Sequence, residues 1–88
     1  MNRQECIEGA LDCISNTRDT SYGDASDNLT KIASLWSAYL TIDLNPIEVA
    51  QMMVLLKVAR SIPGPKHIDN YVDQAGYSAL ACEMAEKL

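Results

Sequence analysis

The segment from Asn45 to Ser61 constrains this chain more than any other. Asn45 is a good N-cap, Pro46 suits the first helical position, and Glu48 completes a capping box three residues after the cap. Pro63-Gly64-Pro65 then ends the helix. Proline cannot continue the hydrogen-bond ladder, and it disfavours α geometry in the residue before it. Between those limits Ala50, Met52, Met53, Val54, Leu55, Leu56, Val58 and Ala59 leave almost no polar face. A helix apolar all round is buried on most sides. The segment therefore reads as the central element, covered by its own domain or by a partner chain.

Three further helices follow from the same reasoning. Residues 3–16 repeat Ile7, Ala10, Leu11 and Ile14 at helical spacing, with Cys6 and Cys13 flanking the stripe and Asn16 and Thr17 as terminators. Residues 17–27 form the longest polar loop, where Gly23 supplies a positive φ. Ser26 or Asp27 caps a second helix from Asn28 to about Leu40. Its buried stripe is Leu29, Ile32, Ala33, Trp36 and Leu40, widened by Leu35 and Tyr39. A fourth helix runs from about Lys66 to Lys87, with Ile68, Val72, Ala75, Ala79 and Cys82 as its stripe. Gly76 and its neighbouring alanines allow close helix contact. No strand-like alternation or internal repeat is present. The expected fold is all-α, a compact four-helix domain spanning residues 1–88.

The chain has 88 residues, 48% of them hydrophobic. So short a chain buries only about 60% of its unfolded surface. High apolar content on a small core predicts a homo-oligomeric helical assembly. The net charge is −5, which argues against binding a nucleic-acid polymer, since that needs a basic surface. Three cysteines without C-x-x-C spacing and a single histidine make no zinc set. They read as free buried thiols in a reducing cytosol. The polar, acidic start is not a secretory signal, and no apolar run reaches membrane-spanning length. The expected location is cytoplasmic.

Chemistry-bearing residues gather around the turn before the fourth helix. Lys57, Arg60 and Lys66 are three of seven basic residues and fall within ten positions. Asp69, Asp73 and Gly76 share one helix face, and Asn70, Asp73 and Tyr77 share the adjoining one. Carboxylates at i and i+4 repel modestly unless a cation or basic side chain intervenes. Mg²⁺ bound through carboxylates and ligand phosphates would serve, as would pairing of Asp73 with Lys57 or Arg60. The dipole already favours Asp69 in the first turn, and the capping box accounts for Glu48. His67 has no nucleophile or triad partner in sight and reads as a helix-start residue.

Arg18-Asp19-x-x-Tyr22-Gly23, Asp27-Asn28-Leu29 and Ile32-Ala33-x-Leu35-Trp36 resemble a family of small uncharacterised phage proteins. So do the stretches Met52 to Arg60 and Asp69 to Tyr77, and the likeness covers about residues 17 to 80. More distantly, the helical layout and the D-x-x-x-D-x-x-G-Y segment are similar to MazG-like all-α nucleotide pyrophosphohydrolases. Those enzymes hold Mg²⁺ with acids on two neighbouring helices and cleave nucleoside triphosphates between the α and β phosphates.

Two readings follow from the resemblance, and a third, plainer one stands beside them. In the first, the chain binds a nucleotide-like phosphate ligand without turning it over, to sequester or sense a host nucleotide signal, and needs no cofactor. Arg18, Lys57, Arg60 and Lys66 would hold phosphates, and Tyr22 or Tyr77 would stack on a base. Asn28, Asn70 and Asp73 would bind sugar or base edges. In the second, Glu48, Asp69 and Asp73 would ligate Mg²⁺ in a hydrolase. The family's E-E-x-x-E group is absent here, which counts against hydrolysis. In the third, the chain is an interaction or assembly protein whose polar residues only fasten its helices.

Overall fold

A computed structural model describes residues 1–15 and 24–88 of the chain. It contains four helices in order: α1 (Arg3–Ile14), α2 (Ala25–Leu40), α3 (Pro46–Ser61) and α4 (Ile68–Glu86), with no strand among the described residues. Among those residues no helix is long and apolar enough to cross a membrane. The expected terminators Asn16 and Thr17, and the Gly23 turn, lie outside the described residues.

Local capping sets the helix starts. Asn45 and Glu48 form the reciprocal capping box expected for α3. Asn2 and Glu5 form a second one at the start of α1. The start of α2 departs from expectation. Asp24, not Ser26 or Asp27, is the N-cap, and its side chain accepts a hydrogen bond from the Ser26 amide at 3.3 Å. Asp27 then falls in the first turn, where the positive end of the helix favours an acid. Helix α4 begins at Ile68 rather than Lys66, with His67 as an N-cap that makes no side-chain capping bond. The Tyr71 hydroxyl donates to the Pro65 carbonyl at 2.7 Å and ties the preceding turn to the helix.

Ser37 clasps the α2–α3 connector, its hydroxyl accepting from the Leu44 amide at 2.8 Å and donating to the Leu44 carbonyl at 3.3 Å. Thr41 ends α2 in the left-handed region, with φ of 58°. A β-branched residue is disfavoured there. Thr41→Gly is therefore expected to stabilise the fold by about 0.5–1 kcal/mol in urea denaturation. A loss of stability would show that the threonine contributes more through contacts than its backbone costs.

The core joins Leu29 and Ala33 of α2, Val49 and Ala50 of α3, and Leu80 and Ala81 of α4. Trp36, Ile14, Tyr77 and Met84 pack around it half-buried. Helix α4 packs against α3, α1 and α2, so it occupies the middle of the bundle. That corrects the expectation for α3, which buries only Val49 and Ala50 and leaves Leu55 and Ile62 exposed. An all-apolar helix has no polar face to show which side turns inward. The buried stripe of α4 also shifts, to Val72, Gly76, Leu80 and Ala81, while Ala79 and Cys82 are exposed. On α1, Ile7 and Leu11 face outward, and the buried residue is Ala10.

Small residues explain the last two shifts. A Cβ on Gly76 would lie 3.1 Å from Cγ2 of Ile14 and 3.9 Å from the Ala10 carbonyl oxygen. One on Gly9 would lie 3.5 Å from Cγ1 of Val72. Close approach of α1 to α4 thus selects the glycine and alanine faces over the bulkier ones.

Candidate functional site

Two neighbouring grooves follow the α1–α4 seam. The first, of about 190 Å³, is lined by Cys13 and Ile14 from the end of α1 and Ala25 from the start of α2. Asp73, Gly76, Tyr77 and Leu80 of α4 form its other wall. The second, of about 260 Å³, is lined by Gly9, Asp12 and Cys13 of α1 and by Asp69, Val72 and Asp73 of α4, with Met1 at its edge. Cys13 and Asp73 border both. The seam opens here because Gly9, Ala10 and Gly76 bring the helix axes close while offering little side-chain bulk to fill the flanks.

Asp73 is the pivot of the site. Its Oδ2 receives the Lys57 ammonium at 2.9 Å, with Lys57 only 14% and Asp73 32% exposed. Of the two bases that sequence offered to Asp73, Lys57 is therefore the partner. It lies seven residues after the buried Ala50, on the face of α3 that turns toward α4. A charge pair at this depth is shielded from water on one side, so losing either partner strands the other.

The other expected site residues divide. Tyr77 and Asp73 line the first groove, and Asp69 lines only the second. Asn28 is half-buried, three residues after the groove residue Ala25. Asn70 is half-buried, and Arg60 and Lys66 are exposed; none of these three lines either groove. Lys57 is committed to Asp73 rather than presented to an anion. Arg18 and Tyr22 lie outside the described residues.

The expected Mg²⁺ set does not assemble. Among the described residues no three His, Cys, Asp or Glu side chains converge well enough to hold a metal ion. The Glu48 carboxylate accepts from the Asn45 amide at 3.0 Å. It also sits nine residues before Lys57, about 13 Å along the helix axis. These acids do not fit a metal-dependent hydrolase in this arrangement.

Asp12, Cys13, Ile14 and Ala25 were not among the expected site residues. The thiols were expected to be buried, yet Cys13 and Cys82 are exposed and Cys6 is half-buried. Gly9 was the available signal. Read with Gly76 as a pair of close-packing positions, it would have pointed to the α1–α4 seam.

The fold and site define a class: an all-α helical domain with a small, acid-bordered groove between its first and last helices. The chain belongs to the family described as a domain of unknown function, DUF6378, whose family model matches residues 5–85. It is 42% identical over 76 residues to the Gene 55 protein of Mycobacterium phage L5, covering 85% of this chain and 49% of that protein. It is 36% identical over 84 residues to the Gene 55 protein of Mycobacterium phage D29, covering 96% of this chain and 56% of that protein. The chain thus spans about half the length of these curated relatives. No solved structure matches.

Proposed function

We propose that the chain binds a nucleotide-like phosphate ligand without hydrolysing it, with the base in the first groove. One observation carries the reading: a single cavity is bordered by the polar pair Asp73 and Tyr77 together with the apolar Ile14, Ala25 and Leu80. Tyr77 supplies a stacking face, and Asp73 supplies an acceptor for a base amino group. The groove itself is unsuited to bare phosphate, because Lys57 is paired and the neighbouring groove is bordered by Asp12, Asp69 and Asp73. The phosphates would therefore lie outside both grooves. The role of such binding would be to sequester or sense a host nucleotide.

Mass spectrometry of small molecules released from purified protein tests this without guessing the ligand. Thermal shift against a panel of nucleoside mono-, di- and triphosphates then gives the affinity. A ligand at a hundred times its Kd stabilises by about 2.7 kcal/mol, on the order of 10 °C for a domain this size. The expected result is such a rise with the nucleotide recovered unchanged. If no nucleotide co-purifies and none raises the melting temperature, the proposal fails. Mg²⁺-dependent pyrophosphate release would overturn it in favour of a hydrolase.

A further inference from the structure

We propose that the base held in the first groove is guanine, a choice that rests on nucleotide binding as proposed above. Among the described residues, Asp73 is the one charged side chain that lines this groove. It is a carboxylate, paired through Oδ2 with the Lys57 ammonium at 2.9 Å. A carboxylate only accepts hydrogen bonds and offers about four lone-pair sites, of which Lys57 occupies one. Beyond that contact Asp73 takes no hydrogen bond from any described residue. The neighbouring groove adds Asp12 and Asp69, and no basic side chain among the described residues lines either groove. A base entering here must therefore turn donors, not acceptors, toward Asp73.

Among the common nucleobases, guanine alone has such an edge. Its N1–H and N2 amino group stand side by side, two donors aimed the same way, as the two oxygens of a carboxylate require. Adenine and cytosine set an amino donor beside a bare ring nitrogen, whose lone pair would face the carboxylate. Uracil and thymine flank a single N3–H with two carbonyl oxygens. For each of these, gaining one hydrogen bond brings an acceptor against the negative charge. That repulsion is stronger beside apolar walls than in open water, and Ile14, Ala25 and Leu80 supply such walls. The attachment of the sugar agrees. Guanine carries its ribose on N9, across the ring system from the N1 and N2 donors. Docking by that edge directs ribose and phosphates away from Asp73 and out of the acidic seam.

Calorimetric titration with the mono-, di- and triphosphates of guanosine, inosine, adenosine, cytidine and uridine tests this on the wild-type chain. Inosine is the sharpest control, since it differs from guanosine only in lacking the N2 amino group. The guanosine nucleotide is expected to bind at least ~10-fold more tightly than its inosine counterpart, the loss of one hydrogen bond to a charged group, and more tightly still than the others. Asp73→Asn replaces one acceptor with an amide donor, which suits the N1–H and C2 carbonyl of xanthine. This variant is expected to bind the xanthosine nucleotide at least ~10-fold better than wild type does, and to lose most of the preference for guanosine over inosine. Nucleotides that bind wild type without favouring guanine would overturn the choice of base and leave nucleotide binding standing. An Asp73→Asn variant with an unchanged guanosine-to-inosine ratio would overturn the role of Asp73 in that choice. Failure of every nucleotide to bind would overturn both proposals.

Discussion

Gly76→Leu is expected to cost about 3 kcal/mol or more and to release α1 from the bundle. A single methyl at this position already meets Cγ2 of Ile14 at 3.1 Å. A leucine adds three more carbons in the same direction, against a β-branched neighbour with little rotamer freedom. Helix α1 has few other attachments, since it packs chiefly on α4. A small domain has a total stability of about 5 kcal/mol, so the variant sits near the edge of folding. Urea denaturation followed by circular dichroism reads the loss, and a cost below ~1 kcal/mol would contradict the packing described. Two controls isolate the cause. Gly9→Ala adds a methyl at ordinary contact distance, 3.5 Å from Val72, and gains helix propensity of about 1 kcal/mol, so it should be neutral or stabilising. Gly76→Ala should improve when combined with Ile14→Leu, which removes the clashing methyl. Ile14→Val keeps that methyl and should not help.

The second large effect concerns Lys57 and Asp73. Asp73→Ala leaves an ammonium that is 14% exposed without its carboxylate, an expected cost of about 2 kcal/mol. Lys57→Met is milder, about 1 kcal/mol, because water reaches the 32% exposed carboxylate and the methionine keeps the packing of the lysine stem. The double variant should cost less than the sum of the single changes, by roughly 1 kcal/mol, which measures the pair itself. An additive double variant would show that the two charges do not interact. The same variants separate the roles of the pair in binding. If Asp73 accepts from a base amino group as proposed, Asp73→Ala is expected to lose at least ~10-fold in nucleotide affinity while Lys57→Met loses little. The opposite order would assign phosphate binding to Lys57 and refute the placement of the base.

The site was partly legible beforehand. The Arg18–Tyr22 loop lies outside the described residues, and Asp73, Tyr77 and Gly76 are drawn to notice by their spacing on one helix. Their joint position is not a local property. It depends on α1 crossing α4 where Gly9, Ala10 and Gly76 permit it, and this places Cys13, Ile14 and Ala25 at the groove. Arg60 and Lys66 looked equivalent to Lys57, yet they are exposed and outside both grooves. Helical phase relative to Ala50 separates Arg60 from Lys57, and that phase is visible only once the inward face of α3 is known, while Lys66 lies beyond α3 in the turn before α4.

What the sequence by itself determined was the all-α class and the limits of α3, because a capping box and a proline-bounded turn are hydrogen bonds and steric contacts within three or four residues. The inward face of α2 was legible as well, since Leu29 and Ala33 are buried as their spacing requires, whereas tertiary structure decided which faces of α1, α3 and α4 turn inward. Helix α3 has almost no polar face, and glycine and alanine sit beside Ile14 and Val72 where α1 meets α4, so hydrophobic periodicity had little contrast to report there. Close packing made the choice, burying the smallest residues between axes that approach most nearly and leaving Leu55, Ile62, Ile7 and Leu11 outside.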